Sequence, residues 1–203
     1  MALAAWVLAG FFCGSIPFSV IIGRLAKKDD IRNYGDRNPG AWNVMRAAGW
    51  RWGIIALLLD YIKGAVPVGL AWFWAGLSGW QMVLVALSPL LGHAFSPFLL
   101  FHGGKAVSTT FGVWTGLTVW SGPTVLGLFL GLFYTLLDSS SWAVILTFLF
   151  FGGFAAFYYL PSNPEFGWIW LGNFALLAWK HHREIRGFPK LRIEILKTFM
   201  RTL

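Results

Sequence analysis

Seven apolar stretches, at 3–23, 53–76, 80–101, 106–120, 122–138, 141–160 and 166–180, occupy the chain almost end to end. A bilayer core is crossed by about 20 helical residues, and a spanning segment has to satisfy its own backbone hydrogen bonds. The pattern therefore predicts an all-α polytopic membrane protein with seven transmembrane helices. The fourth and seventh stretches are short for a full crossing and are expected as short or broken helices. With 57% of its 203 residues hydrophobic and 12% charged, the chain carries more apolar surface than a soluble domain can hide. No polar or low-complexity linker divides it, so residues 1–203 are expected to form a single domain.

The formal net charge of +8 would suggest nucleic acid in a soluble protein, but the positions of the charges exclude that reading. Seven basic residues lie between Arg24 and Arg51, and seven more follow residue 179. With seven spans, the loops at 24–52, 102–105 and 139–140 and the tail from 181 share one side, and that side holds every Lys and Arg outside the spans. The connections near 77–79, 121 and 161–165 hold none. Basic loops face the cytoplasm, which predicts an outside N-terminus, a cytoplasmic C-terminus, a location in the cell inner membrane and contact with anionic headgroups. Trp72, Trp74, Trp80, Trp120 and Trp168 fall near the expected outer ends, as an aromatic belt does. The first apolar stretch lacks a basic leader and is read as a retained helix. Lys190 to Leu203 spaces Ile193, Leu196, Met200 and Leu203 among basic residues, the pattern of an amphipathic helix on the inner surface. The single cysteine, Cys13, has no partner for an internal disulfide and is read as a small buried hydrophobe.

Two polar segments on the cytoplasmic side carry the chemistry. In the first, Gly35, Asn38, Gly40, Asn43 and Arg46 fall within 12 residues. Glycines let successive amides turn toward one anion, asparagines add donors, and the Arg46 guanidinium offers a planar fork to phosphate oxygens. In the second, Gly103-Gly104-Lys105 opens the fourth span, where the helix dipole and unsatisfied amides favour an anion. Ser108, Thr109 and Thr110 add hydroxyls that either serve the site or bond back to the helix. Gly92-His93 to Ser96-Pro97 breaks the third span, and His93 is either a general base or a hydrogen-bond partner of a neighbouring helix. Asp60 and Lys63, one turn apart in the second span, should pair inside the bundle. That pair fixes packing, or Lys63 raises the potential beneath a phosphate site. Lys180 to Glu184 is either a topology anchor or a lid on the site.

Neither His93 nor His102 is followed five positions later by Asp, since those positions hold Phe98 and Val107. There is also no G-x-S-x-G, no C-x-x-C and no metal-ligand cluster, so neither metal nor cofactor is expected.

These motifs resemble those of the bacterial membrane acyl-phosphate:glycerol-3-phosphate acyltransferases, from Gly14-Ser-Ile-Pro17 through His181. The family's Gly-Ser-Gly-Asn-x-Gly-Ala-Thr-Asn-Val-x-Arg stands here as Gly35 through Arg46, with Asp36, Arg37 and Trp42 in place of Ser, Gly and Thr. Leu59-Asp60-Tyr-Ile-Lys63-Gly64 and Gly92-His93 fit. Its Lys-Gly-Gly-Lys-Gly-Val-Ala-Thr becomes His102 through Thr109, with Ala106 at the third glycine. Its Tyr-Arg-His-Arg-Glu-Asn becomes Trp179 through Glu184, keeping His181 and placing Glu184 at the asparagine.

The resemblance implies seven spans, a cytoplasmic active site, and transfer of a fatty acyl group from acyl phosphate to glycerol 3-phosphate, giving lysophosphatidic acid. Arg46, Lys105 and His181 would clamp the acceptor phosphate. The amides of Gly40, Gly103 and Gly104 would hold the donor phosphate or the oxyanion, with Asn38, Asn43, Lys63 and Thr109 also at the site. The base is His93, Asp36 or a substrate phosphate. A soluble enzyme that makes acyl phosphate is the expected partner. Asp36, Trp42 and Glu184 leave the acceptor open. A non-catalytic carrier of lipid or phosphate compounds, an inactive partner subunit, and a divergent paralogue with another acceptor are the competing readings.

Overall fold

A computed structural model describes residues 2–27, 29–185 and 187–192. The described residues form α1 (Ala2–Ser15), α2 (Phe18–Lys27), α3 (Ala41–Ala48), α4 (Trp50–Gly69), α5 (Gly79–Ala94), α6 (Val107–Thr118), α7 (Ser121–Leu136), α8 (Ser140–Tyr158) and α9 (Glu165–His181). Among them there is no strand, only an isolated bridge between Leu137 and Leu191. Two compact units divide the chain, residues 1–123 and 124–203.

Four helical stretches are long and apolar enough to cross a membrane: Leu3–Lys27, Trp50–Trp74, Gly79–Leu99 and Ser140–Tyr158. They coincide with the first, second, third and sixth expected spans. The short fourth stretch is α6, at 12 residues, which rises only about 18 Å. The seventh is α9, at 17 residues. Two expectations need correction. The first span is not one helix but two, because Pro17 supplies no amide and the chain breaks at Ile16–Pro17. The 24–52 connection is not all loop, since α3 forms inside it. The expected tail helix lies almost wholly at 193–203, outside the described residues.

In the first unit, α1 packs on α5 and α4 packs on α6, each pair brought close by small residues four apart. Gly10 and Gly14 of α1 lie against Ser88 and Pro89 of α5, and Gly92 of α5 lies against the Phe11 carbonyl. Gly112 and Gly116 of α6 lie against the Tyr61 and Ala65 carbonyls of α4. A Cβ at Gly14, Gly92 or Gly112 would overlap backbone, which cannot turn aside as a flexible side chain can.

Asp60 and Lys63 pair as expected: Lys63 Nζ lies 2.6 Å from Asp60 Oδ1, with both side chains almost fully buried. Lys63 also donates to the Ile16 carbonyl at the helix break, at 2.8 Å. Ser19 Oγ donates to Asp60 Oδ2, at 2.6 Å. The pair is thus neutral and tied to the α1–α2 corner, which supports its packing role. Lys63→Met is expected to destabilise the protein by about 3–5 kcal/mol by stranding the carboxylate, and Asp60→Asn/Lys63→Met to recover most of that loss. Thermal unfolding of the single and double variants in detergent checks this.

In the second unit, the aromatic faces of α8 and α9 pack together. Phe148 stacks on Trp170 and Phe174 with centroids 6.3 and 6.4 Å away, and Trp170 Nε1 donates to the Phe148 carbonyl. Phe150 of α8 also meets Phe129 and Phe133 of α7.

Candidate active site

The first polar segment is held by apolar anchors. Ile31 and Val44 are completely buried and pack in a cluster with Val20, Ile22, Ala41, Ala56 and Leu99. Asp30 accepts the Arg32 amide and pairs with the Arg32 guanidinium at 2.6 Å, closing a 3-10 turn at Ile31–Asn33. With both ends pinned, the chain turns through Gly35 and Arg37 in left-handed conformations, φ 56° and 62°. It then enters α3 behind Gly40.

Asn43, on the first turn of α3, is 1% exposed. Its Nδ2 donates to Asp36 Oδ1 at 2.8 Å and to the Asn38 carbonyl at 2.9 Å, so two acceptors fix which way the amide faces. Its Oδ1, turned toward Gly35, has no hydrogen-bond partner among the described residues. Arg46, three residues on, shares this face of α3. A Cβ on Gly35 would come within 2.8 Å of Arg46 Nη1 and would overlap Asn43 Oδ1, so glycine lets the guanidinium and the amide close over the turn. The Arg46 guanidinium also lies over the exposed Trp42 ring, 5.8 Å from its centroid.

The second segment is held by His93. The Gly104 amide donates to the His93 carbonyl at 3.1 Å, and the ring packs where a Gly104 side chain would be. Thr109 Oγ1 donates to the Asp60 carbonyl at 3.0 Å. Having spent its proton there, it accepts from His93 Nδ1 at 3.2 Å. The ring therefore carries a proton on Nδ1. The loop so fixed delivers Lys105, whose Nζ lies 2.6 Å from Asp36 Oδ2. Asp36 also accepts the Asn38 amide at 3.2 Å. Burial pushes the Asp36 carboxyl up, but the Lys105 hydrogen bond and charge, with the Asn38 and Asn43 donors, outweigh it and hold the carboxyl below its ordinary value.

Arg46, Asn43, Asp36 and Lys105 thus form one contiguous polar cluster, with Gly35 and Asn38 in its floor. Other expected members sit differently. The Gly40 amide donates to the Asn38 carbonyl, and that of Gly104 to the His93 carbonyl, so neither stands open to an anion as expected. Gly40 leaves room for the Asn38 side chain and Gly104 for the His93 ring, while Gly103 lies against the His93 and Ala94 backbone. α6 begins at Val107, not at the glycines. Thr109 and Lys63 are buried in the scaffold beneath the cluster.

His181 belongs to the second unit, where it is 3% exposed and its Nδ1 meets Ser141 Oγ at 2.9 Å. Ser141 in turn donates to Glu184 Oε2. Ser141 stands in the first turn of α8, and nothing local in the sequence pairs it with a residue 40 positions away.

The sequence profile described as glycerol-3-phosphate acyltransferase matches residues 4–190. The chain belongs to the glycerol-3-phosphate acyltransferase family. It is 37% identical over 193 residues to glycerol-3-phosphate acyltransferase 1 of Thermotoga maritima, covering 89% of this chain and 94% of that one. It is 37% identical over 188 residues to a glycerol-3-phosphate acyltransferase of Haemophilus ducreyi, covering 92% of each. The crystal structure of PlsY (YgiH), an integral membrane glycerol 3-phosphate acyltransferase in its glycerol 3-phosphate form, superposes with a TM-score of 0.82. That match has 28% identity and covers 97% of this chain and 99% of PlsY. The lysophosphatidic acid form of PlsY superposes with a TM-score of 0.80.

Against the family motifs, Arg37 and Ala106 stand where glycines are expected, and both backbones are left-handed, with φ 62° at each. A Cβ in that region costs about 1–2 kcal/mol, which a glycine avoids at some cost in chain entropy. Ala106→Gly is therefore expected to raise stability by about 1 kcal/mol, seen as a higher unfolding temperature, while keeping the turn that presents Lys105.

Proposed function

We propose that this membrane acyltransferase moves a fatty acyl group from acyl phosphate to glycerol 3-phosphate, giving lysophosphatidic acid for phospholipid synthesis. The observation that carries the reading is the meeting of Arg46, Asn43 and Lys105 at one polar cluster, built from two motifs 60 residues apart in family-specific sequence. Arg46 and Lys105 bind the acceptor phosphate, and Asn38 and Asn43 shape the pocket. The acyl tail lies between spans, where lipid already solvates it.

Acyl phosphate is an activated mixed anhydride, so positioning and charge stabilisation carry the rate. The acceptor hydroxyl oxygen bonds to the acyl carbon, the bond from that carbon to the phosphate oxygen breaks, and phosphate leaves. Of the three candidate bases, Asp36 is committed to three donors and held acidic, and the His93 ring is committed to Thr109 beneath the Lys105 loop. A substrate phosphate is the better proton acceptor.

The topology that suits this chemistry has seven spans, with the N-terminus outside and the C-terminus in the cytoplasm of an inner-membrane protein. The active site faces the cytoplasm, where a soluble enzyme supplies acyl phosphate. Residues 1–203 act as one domain, a reading supported by the unbroken family match. The test is acyl transfer by purified, reconstituted protein from acyl phosphate to a panel of polyol phosphates. Glycerol 3-phosphate should be the preferred acceptor. Preference for another member reassigns the substrate, and binding without turnover favours a carrier or a partner subunit.

A further inference from the structure

The Asp36 carboxylate is held as a bound anion would be. One oxygen takes the Lys105 ammonium at 2.6 Å, and the other takes the Asn43 amide at 2.8 Å and the Asn38 N–H at 3.2 Å. The Asp36 side chain is 40% exposed and that of Lys105 only 16%, so the carboxylate is the more accessible member of the pair. An anion taken up by Lys105 has to contend with it. Fixed by the Gly35–Arg37 turn, this carboxylate is a tethered competitor.

We propose that Asp36 is an internal counter-ion that fills the Lys105 anion subsite at rest and makes the acceptor phosphate displace it. The inference rests on Lys105 being a phosphate ligand, as proposed above. A site occupied by its own anion weakens apparent affinity by the fraction of time it stands open. It also sets a charge threshold. A phosphate dianion gains more from Lys105 and Arg46 than a single carboxylate does, so it wins the exchange, whereas an organic monocarboxylate of similar shape does not. Asp36 is then a specificity-determining residue that favours phosphorylated acceptors over carboxylated ones.

For partly exposed pairs the effect is modest, so removing the charge should tighten anion binding by about three- to tenfold. The experiment titrates inorganic phosphate, and separately glycerate, into the purified full chain by calorimetry. It compares wild type, Asp36→Asn, Asp36→Ser and Lys105→Ala, with KM for glycerol 3-phosphate measured in parallel. Both Asp36 variants should bind phosphate three- to tenfold more tightly, with a lower KM, and glycerate binding should become measurable. A merely structural Asp36 would loosen the site when removed. Unchanged or weaker phosphate binding in folded Asp36 variants overturns the proposal, as does failure of both to fold, because the carboxylate would then be holding the turn together. Phosphate binding that survives Lys105→Ala at wild-type strength refutes the anion subsite itself. Binding lost in Lys105→Ala but untouched in Asp36→Asn refutes only the counter-ion role.

Discussion

Replacing Lys105 by alanine is expected to lower kcat/KM for acyl transfer by about a hundred- to a thousandfold, the range seen when one preorganised charged donor is removed from an active site. Two effects act together. The substitution deletes a cation from the proposed acceptor site, and it strands Asp36, whose Oδ2 has Lys105 Nζ at 2.6 Å. A bare carboxylate then repels the phosphate that the cation attracted. The double variant Lys105→Ala/Asp36→Asn should therefore be more active than Lys105→Ala alone. Arginine at 105 should not restore full activity, because a longer planar fork cannot reproduce a point charge delivered by this loop. The Lys105 head lies at the edge of the packed core, so unfolding temperatures should stay within a few degrees of wild type. Steady-state kinetics with reconstituted protein decides the matter, and turnover within a few-fold of wild type would remove Lys105 from the machinery.

Gly112→Leu is expected to abolish folding, and Gly112→Ala to cost about 2–4 kcal/mol. A Cβ at this position would overlap the Tyr61 carbonyl oxygen and lie 2.9 Å from the Ala65 nitrogen, both in the backbone of α4. No rotamer change can relieve that contact, so α6 would have to move bodily. Gly116, one turn on, meets the Ala65 carbonyl in the same way and prevents a simple slide along the interface. Because α6 begins just after Lys105 and carries Thr109, the alanine variant should also lose activity in proportion to the shift. Size-exclusion profiles and unfolding temperatures in detergent read the first effect, and acyl transfer reads the second. A monodisperse Gly112→Leu protein with wild-type stability would show that α4 and α6 do not pack this closely.

Much of this architecture is legible in the residues, for identifiable reasons. Hydropathy alone marks the helices, because a spanning segment must be apolar along its whole length. It misses the break at Pro17 because hydropathy does not register a missing amide. It misses α3 because Asn43 and Arg46 give that helix a polar face, while Ala41 and Val44, three apart, give it a quiet apolar one that only tertiary packing reveals. The glycine pairs at 10 and 14 and at 112 and 116 have the spacing of close helix contacts, a signal present in the chain itself. Charge placement predicts both basic segments on one side, and Asp36 of the first does meet Lys105 of the second. That Asp36 stands between Asn43 and Lys105, and that Ser141 serves His181, depends on contacts 69 and 40 residues apart, which no local pattern encodes.

The residue at position 60 touches more of the first unit than its size suggests. Its side chain joins Ser19 and Lys63, through Lys63 it reaches Ile16, and its carbonyl holds Thr109, which holds His93 under the Lys105 loop. The Lys105 loop therefore rests on a strut that runs through α4. Bending or thinning of the surrounding bilayer that tilts α4 would be transmitted along this strut to the cation, so turnover should vary with lipid chain length well before any helix separates.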